Sequence, residues 1–392
     1  MTSQQVLHNI RILDFTWVLA GPYATRILAD FGAEVIKVQP PLPPEGGRFR
    51  RGYDSTWNRN KLGITLNMGQ PEGIALAKRL VSISDAVVEN LTPRVMANWG
   101  LDYESLKKLK PDIILLSMSA MGSTGPRRNY AGFGPTVQAF AGLTGLTAYP
   151  GRPPSGVGYA HADHIAGLTA ALALLGALEY RERGGGGQCI DVSQMEAMVS
   201  ALGDAFWEYA ASGQAPGPVG NSSREAAPYG VYPCRGDDCW CAIAVFNDKE
   251  WQGFRRALGN PSWCEGERFA TLSKRLANAD ELDRLVGEWT RQHTAGEVMS
   301  LLQGEGVAAG VVQDARDLAS DPQLRGRGFF VELDHPELGK TISDASPVRL
   351  ADTPARYLRA APILGQDNSY VYGRLLGISA DEIAGLKKRG II

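Results

Sequence analysis

RILDFTWVLAGPYATRILADFGAEVIKV, residues 11–38, sets the fold class. Residues 10–15 (IRILDF) read as a strand and TWVLAGPY as a turn. ATRILADFG then carries helical spacing and stops on Gly32, a residue suited to the end of a helix. AEVIKV (33–38) is a second strand. A strand–helix–strand unit of this length implies a parallel sheet with a right-handed crossover. The alternation continues downstream. PEGIALAKRLVSIS is helical and DAVVEN extended, PRVMANWG and YESLKKLK are helical pieces, and DIILLSMS is extended.

Beyond this the chain changes character. Residues 122–160 are rich in Gly, Pro, Ser and Thr and read as long loops around one short helix. Residues 165–183 and 193–212 read as helices, and SGQAPGPVGNSSREAAP (212–228) as an interdomain linker. YGVYPCRGDDCWCAIAV predicts a β-hairpin turning at Gly236-Asp237. Helices over 247–258 and 279–305, a strand over 307–312 and a last helix over 380–388 follow. The expected architecture is α/β: a large Rossmann-like parallel-sheet domain over 1–211, completed by 331–392, and a small α+β domain over 225–330. At 392 residues the chain is too long for one ordinary core, which agrees with two domains.

A formal net charge of −2 provides no basic field of the kind nucleic-acid binders carry, so an anionic ligand has to be held by local groups. Five cysteines in a chain this long argue for a reducing compartment and against a disulfide framework. The opening MTSQQVLHNIRILDF lacks the charged-then-apolar order of a signal peptide. The longest apolar run, residues 165–178, has 14 residues; it is short for a bilayer span and fits a buried core helix. A cytoplasmic protein with no membrane and no nucleic-acid partner is expected.

Nucleotide-binding glycine signatures are missing. The first βα turn has no G-x-G-x-x-G, no P-loop occurs, and Gly184 to Gly187 read as a plain turn between a helix and the strand QCIDV. His161, Asp163 and His164 put three potential metal ligands within four residues. Cys234, Cys239 and Cys241 share one hairpin, but C-x4-C-x-C is not a usual zinc spacing, and structural cysteines without a metal site are expected. Asp163 stands just before the apolar helix starting near Ile165. It reads either as a helix N-cap or as a carboxylate held ionised by the helix dipole, and so as a nucleophile. Position alone leaves both open.

Nearly the whole chain resembles the class III CoA-transferases, the CaiB/BaiF family that includes formyl-CoA and carnitine-CoA transferases. The segments that carry the likeness lie in order: residues 11–38, NKLGITLNM (60–68), VVENLTPRVMANWGLDY (87–103), SAMGSTGPRRNYAGFG (119–134), ADHIAGLTAALALLGAL (162–178), GGGGQCIDVSQMEA (184–197) and APILGQDN (361–368). The resemblance implies that Asp163 is a covalent nucleophile forming an aspartyl-CoA thioester. It implies that Trp17, Val18, Leu19, Ala20, Leu66, Asn90 and Leu91 hold CoA, with Arg94 beside them. CoA or acyl-CoA then enters as substrate, a carboxylic acid is the acceptor, and no tightly bound cofactor is implied. Two positions depart from the pattern: Asn98 replaces the usual arginine after E-N, and Pro40 replaces a basic residue, with Arg48, Arg50 or Arg51 as candidate replacements on the 3′-phosphate.

The same fold hosts α-methylacyl-CoA racemases, but Phe133 stands where they place a histidine and D-H-I-A-G replaces D-x-G-G-G. A non-catalytic CoA-binding subunit is the remaining alternative, and the intact Asp163 argues against it. The stretch after residue 212 is too short for the glycine-rich lid of the formyl-CoA branch. APYGVYPCRGDDCWCAIAVFND and FVELDHPELG resemble the benzylsuccinate CoA-transferase branch, which implies succinyl-CoA as donor and an aromatic or dicarboxylic acceptor. Family members form interlocked dimers, some of them heteromers with a sister subunit, so an interlocked homodimer or heteromer is expected.

Overall fold

The computed structural model describes residues 5–42 and 51–392, apart from the side chains of Arg51 and Tyr53. The chain forms two compact units. The larger comprises 1–144, 156–215 and 325–392, and the smaller 145–155 and 216–324. Residues 145–155, placed by sequence in the large domain, thus cluster with the smaller unit.

The larger unit is built on six strands: β1 (Arg11–Asp14), β2 (Glu34–Gln39), β3 (Leu62–Thr65), β4 (Ala86–Glu89), β5 (Ile114–Ser117) and β6 (Cys189–Asp191). Their order is β3-β2-β1-β4-β5-β6, and every neighbouring pair is parallel. Alternate side chains enter opposite layers, as the pleat requires. Ile12, Val35, Val88, Ile114 and Leu116 face one core, while Leu13, Ile36, Val38, Val87 and Leu115 face the other. Because β1 lies between β2 and β4, the chain leaves β1 toward one edge and β4 toward the other. That reversal opens a crevice beyond their C-terminal ends, the usual ligand position in such sheets.

The first layer is covered by helix α1 (Ala20–Asp30). The chain continues through α2 (Arg51–Trp57), α3 (Pro71–Ser82), α4 (Arg94–Asn98), α5 (Tyr103–Leu109), α6 (Gly134–Phe140), the single turn α7 (Leu143–Leu146), α8 (His161–Glu182), α9 (Gln194–Ser200) and α10 (Gly203–Ser212). Helix α8 joins α1 over the sheet through Ala166, Ala170, Leu174 and Leu178. Its approach to α1 depends on Gly167, where a Cβ would lie 2.8 Å from the Ala20 carbonyl oxygen and 2.9 Å from Tyr23.

The expectation of a buried core helix over 165–178 needs correcting on two points. The helix has 22 residues, long and apolar enough by length and composition alone to cross a membrane. Only one side is buried: Leu168, Leu172 and Leu175 are exposed, because an all-round apolar helix has more apolar surface than one layer covers.

The smaller unit carries the predicted hairpin, β7 (Tyr229–Pro233) and β8 (Trp240–Ala244), with β9 (Ala308–Val311) completing an antiparallel sheet in the order β7-β8-β9. Gly236 takes φ +125° in the hairpin turn. Its core gathers Trp251, Phe254, Phe269, Leu282, Val286, Val298 and Leu302. The span 279–305, read from sequence as one helix, is two, Ala279–Thr290 and Ala295–Gly304. The second is started by a capping box of Thr294 and Glu297.

Candidate active site

The site grows from the turn between β1 and α1. Asp14, the last residue of β1, is fully buried. Its carboxylate accepts from the Thr16 N–H at 2.8 Å, from Thr25 Oγ1 at 2.7 Å and from Lys61 Nζ at 3.1 Å, with Lys37 Nζ at 3.3 Å. Burial alone raises this carboxyl. The ammonium groups of Lys37 and Lys61 and the hydroxyls of Thr16 and Thr25 outweigh it and hold it well below the usual carboxylate range. Burial pulls the Lys61 amine down to about 7 against the attraction of Asp14. Lys37 also donates to the Thr16 carbonyl. One end of the turn is therefore bolted to the sheet.

The other end is fastened from β4. Asn90, the residue after β4, accepts from the Trp17 N–H at 2.9 Å and donates Nδ2 to the Trp17 carbonyl at 3.0 Å. Between these fixings and α1, Val18 adopts φ +63°, a left-handed conformation costly for a β-branched residue. The strained turn delivers Ala20 to the N-terminus of α1.

Opposite it begins α8. The sequence expectation of Asp163 as an N-cap before a helix near Ile165 is corrected here. The helix starts at His161, its N-cap Ala160 has no capping side chain, and Asp163 is the third helical residue. The missing cap is replaced from another element: buried Gln138 of α6 accepts the His161 N–H at 2.8 Å.

Asp163 is 9% exposed. Burial drives its carboxyl up to about 6, with the backbone N–H groups of Asp163 itself and Ala20 pulling in the opposite direction. Gly134 presses on it from the wall. A Cβ there would sit 2.5 Å from Asp163 Oδ2.

The carboxylate opens into a cleft of about 380 Å³. Of the residues expected to hold CoA, the structure brings Trp17, Val18, Leu19, Asn90 and Leu91 together with Asp163 around it. Ala20 is buried beside it and contributes its backbone. Leu66 is buried in the core after β3 and Arg94 is exposed at the start of α4; neither lines the cleft. Arg48 and Arg50 lie outside the described residues, as does the side chain of Arg51.

Two further groups, Arg128 and Gln138, escaped the sequence reading. Among the described residues Arg128 is the one cationic side chain lining the cleft, and none of them forms an ion pair with it. Gln138 holds the start of α8. Phe133 packs edge-on against Trp17, with ring centroids 6.2 Å apart.

His164 is not a free base. Its Nδ1 lies 2.8 Å from the Ala160 carbonyl and its Nε2 2.9 Å from the Tyr159 hydroxyl, and burial holds its pKa down. No group of three His, Cys, Asp or Glu among the described residues is arranged to hold a metal ion.

Comparison with known proteins places the chain in a family. The profile of CoA-transferase family III matches residues 7–368. Succinyl-CoA–D-citramalate CoA-transferase of Chloroflexus aurantiacus is 36% identical over all of both chains. The alpha subunit of succinyl-CoA–L-malate CoA-transferase from Chloroflexus aurantiacus is 35% identical, over 100% of this chain and 93% of its own. A crystal structure of a CaiB/BaiF family protein from Brucella suis superposes with a TM-score of 0.87 at 32% identity, covering 95% of this chain and 100% of that one. The chain with this buried aspartate at its sheet crevice belongs to CoA-transferase family III and is an enzyme of CoA transfer.

Proposed function

We propose that the protein moves CoA from succinyl-CoA to a dicarboxylic acid through a covalent Asp163–CoA thioester. An Asp163 oxygen attacks the thioester carbon of the donor, and the CoA thiolate leaves, giving a mixed anhydride. The thiolate attacks the aspartyl carbonyl, expelling succinate and leaving CoA on Asp163. The acceptor carboxylate attacks that thioester and frees the thiolate, which then takes the acceptor's acyl carbon and regenerates Asp163. No step moves a proton, and His164 beside Asp163 in the chain has both ring nitrogens engaged.

The observation that carries the proposal is the buried Asp163 carboxylate, which meets the Ala20 N–H and opens into the cleft. With its carboxyl at about 6, roughly nine-tenths of it is ionised at pH 7 and ready to attack. Burial keeps it poorly solvated and so more reactive than a surface aspartate. The Ala20 N–H, at a helix N-terminus, stabilises negative charge that develops on the aspartyl oxygen.

The unpaired Arg128 supports a substrate with a second carboxylate, and the names of the two Chloroflexus relatives pair succinyl-CoA with citramalate and malate. The exposed Leu168, Leu172 and Leu175 support an assembled dimer or heteromer, in which a partner covers them.

The test is chemical trapping. The protein is incubated with a panel of acyl-CoAs, succinyl-CoA first, quenched with hydroxylamine, and its peptides are mass-mapped. A hydroxamate at Asp163 is expected. Turnover retained by Asp163→Ala would sink the mechanism.

A further inference from the structure

We infer that Asn90 is a positioning residue, whose side-chain amide clamps the Trp17 peptide so that the strained Val18 turn presents the Ala20 N–H to Asp163. The inference rests on Asp163 as the reacting group and goes beyond it. Asn90 lies at the cleft, where a ligand contact would be its simplest role. The hydrogen bonds show another use. Its Oδ1 takes the Trp17 N–H at 2.9 Å and its Nδ2 gives to the Trp17 carbonyl at 3.0 Å, so both ends of the amide are spent on one residue of the protein's own backbone. The two bonds are reciprocal, which fixes the amide orientation and holds the peptides on both sides of Trp17.

The clamp falls on the residue directly before the strained one. Val18 at φ +63° is a conformation that a branched residue leaves when it is free to do so, and it persists only where its surroundings over-determine it. Upstream, Thr16 is held by Asp14 and Lys37. Downstream, Gly21 packs so closely on Thr16 that a Cβ would fall 2.3 Å from its Cγ2. The bonds from Asn90 act at Trp17 itself, on its backbone, while Phe133 packs on its ring.

Asn90 is in turn placed from below. Glu89, buried at the end of β4, accepts the Leu91 N–H at 2.6 Å, pinning the backbone that carries Asn90. An asparagine is required at this position because Asp lacks the donor and Gln is one methylene too long.

The experiment uses the full chain and the isotope exchange between an acyl-CoA and its own labelled acid. Succinyl-CoA with labelled succinate comes first, replaced by whichever acyl-CoA labels Asp163 if succinyl-CoA does not. CoA affinity is measured separately by calorimetry. Asn90→Ala is expected to lower kcat for exchange about 10- to 100-fold, with the Kd for CoA within about threefold of wild type. Asn90→Asp keeps the acceptor and loses the donor, and is expected to fall between the two, which guards against a folding artefact in the Ala variant.

The decisive readout is rescue. Glycine holds positive φ without steric cost, so Val18→Gly added to Asn90→Ala is expected to recover kcat about tenfold or more. A double variant no faster than Asn90→Ala overturns the inference. So does a rise in CoA Kd with kcat intact, which would make Asn90 a ligand contact. Exchange retained in Asp163→Ala would instead overturn the covalent mechanism, so the two failures are told apart.

Discussion

Replacing Asp163 by asparagine removes a charge that the fold holds at a cost, so the variant is expected to be more stable and inactive. The carboxyl is pushed from the ordinary 3.8 to about 6, chiefly by burial. At about 1.4 kcal/mol per pH unit, holding the ionised form costs the folded state about 3 kcal/mol at neutral pH. Asparagine keeps the shape and offers Oδ1 to the same backbone N–H groups, so most of that cost is recovered.

The direction with pH comes from proton binding. Between about 4 and 6 the unfolded chain has lost this proton and the folded chain retains it, so wild-type stability falls as pH rises through that window. Asparagine has no proton to lose. Urea unfolding of both proteins at pH 4, 5, 6, 7 and 8 is expected to show the variant's advantage growing by about 1.4 kcal/mol per unit up to pH 6, then levelling near 3. An advantage that does not change with pH, or a variant less stable than wild type at pH 7, would refute the argument that burial strains this carboxylate.

Two other substitutions test the surroundings. Gly134→Ala sets a methyl 2.5 Å from Asp163 Oδ2 and 3.0 Å from the Ala160 Cβ; displacing the carboxylate is expected to lower kcat about 100-fold while calorimetry finds CoA binding within a few-fold of wild type. Asp14→Ala leaves the buried Lys37 and Lys61 without their counter-charge, and the urea midpoint is expected to report a loss of about 3–5 kcal/mol, whereas a loss under 1 would show that the two amines find other partners.

The parallel sheet was legible because β1, β2, β4 and β5 are short apolar runs separated by helical spacing. β3 was not read as a strand. LGIT is four residues with a glycine inside, and it is extended because β2 and the segment around Asp367 and Asn368 hydrogen-bond to it. The nucleophile candidate at Asp163 came from the family likeness, since a carboxylate near the start of an apolar helix is as often a cap. Its true setting depends on partners far away in sequence: Gln138 in place of a cap, Gly134 at its back and Ala20 in front. The left-handed turn at Val18 gave no signal, because a branched residue argues against positive φ, and the restraints on both sides make it adopt that angle. Arg128 was hidden among basic loop residues that look alike until the chain is folded.

The contact at Gly167 has a consequence for how this site is able to change. Ala20 and Asp163 are both first-turn residues of helices that meet where only a hydrogen fits, so their mutual placement is a property of helix packing. Arg128 and Tyr130, by contrast, are exposed residues of the stretch between β5 and α6, joined to neither helix. On the function proposed above, reaction and choice of acid are thus mounted on separate parts of the fold: Arg128 sits on an exposed loop open to substitution for a new acid, while Asp163 and Ala20 are tied to one helix contact and change only with it.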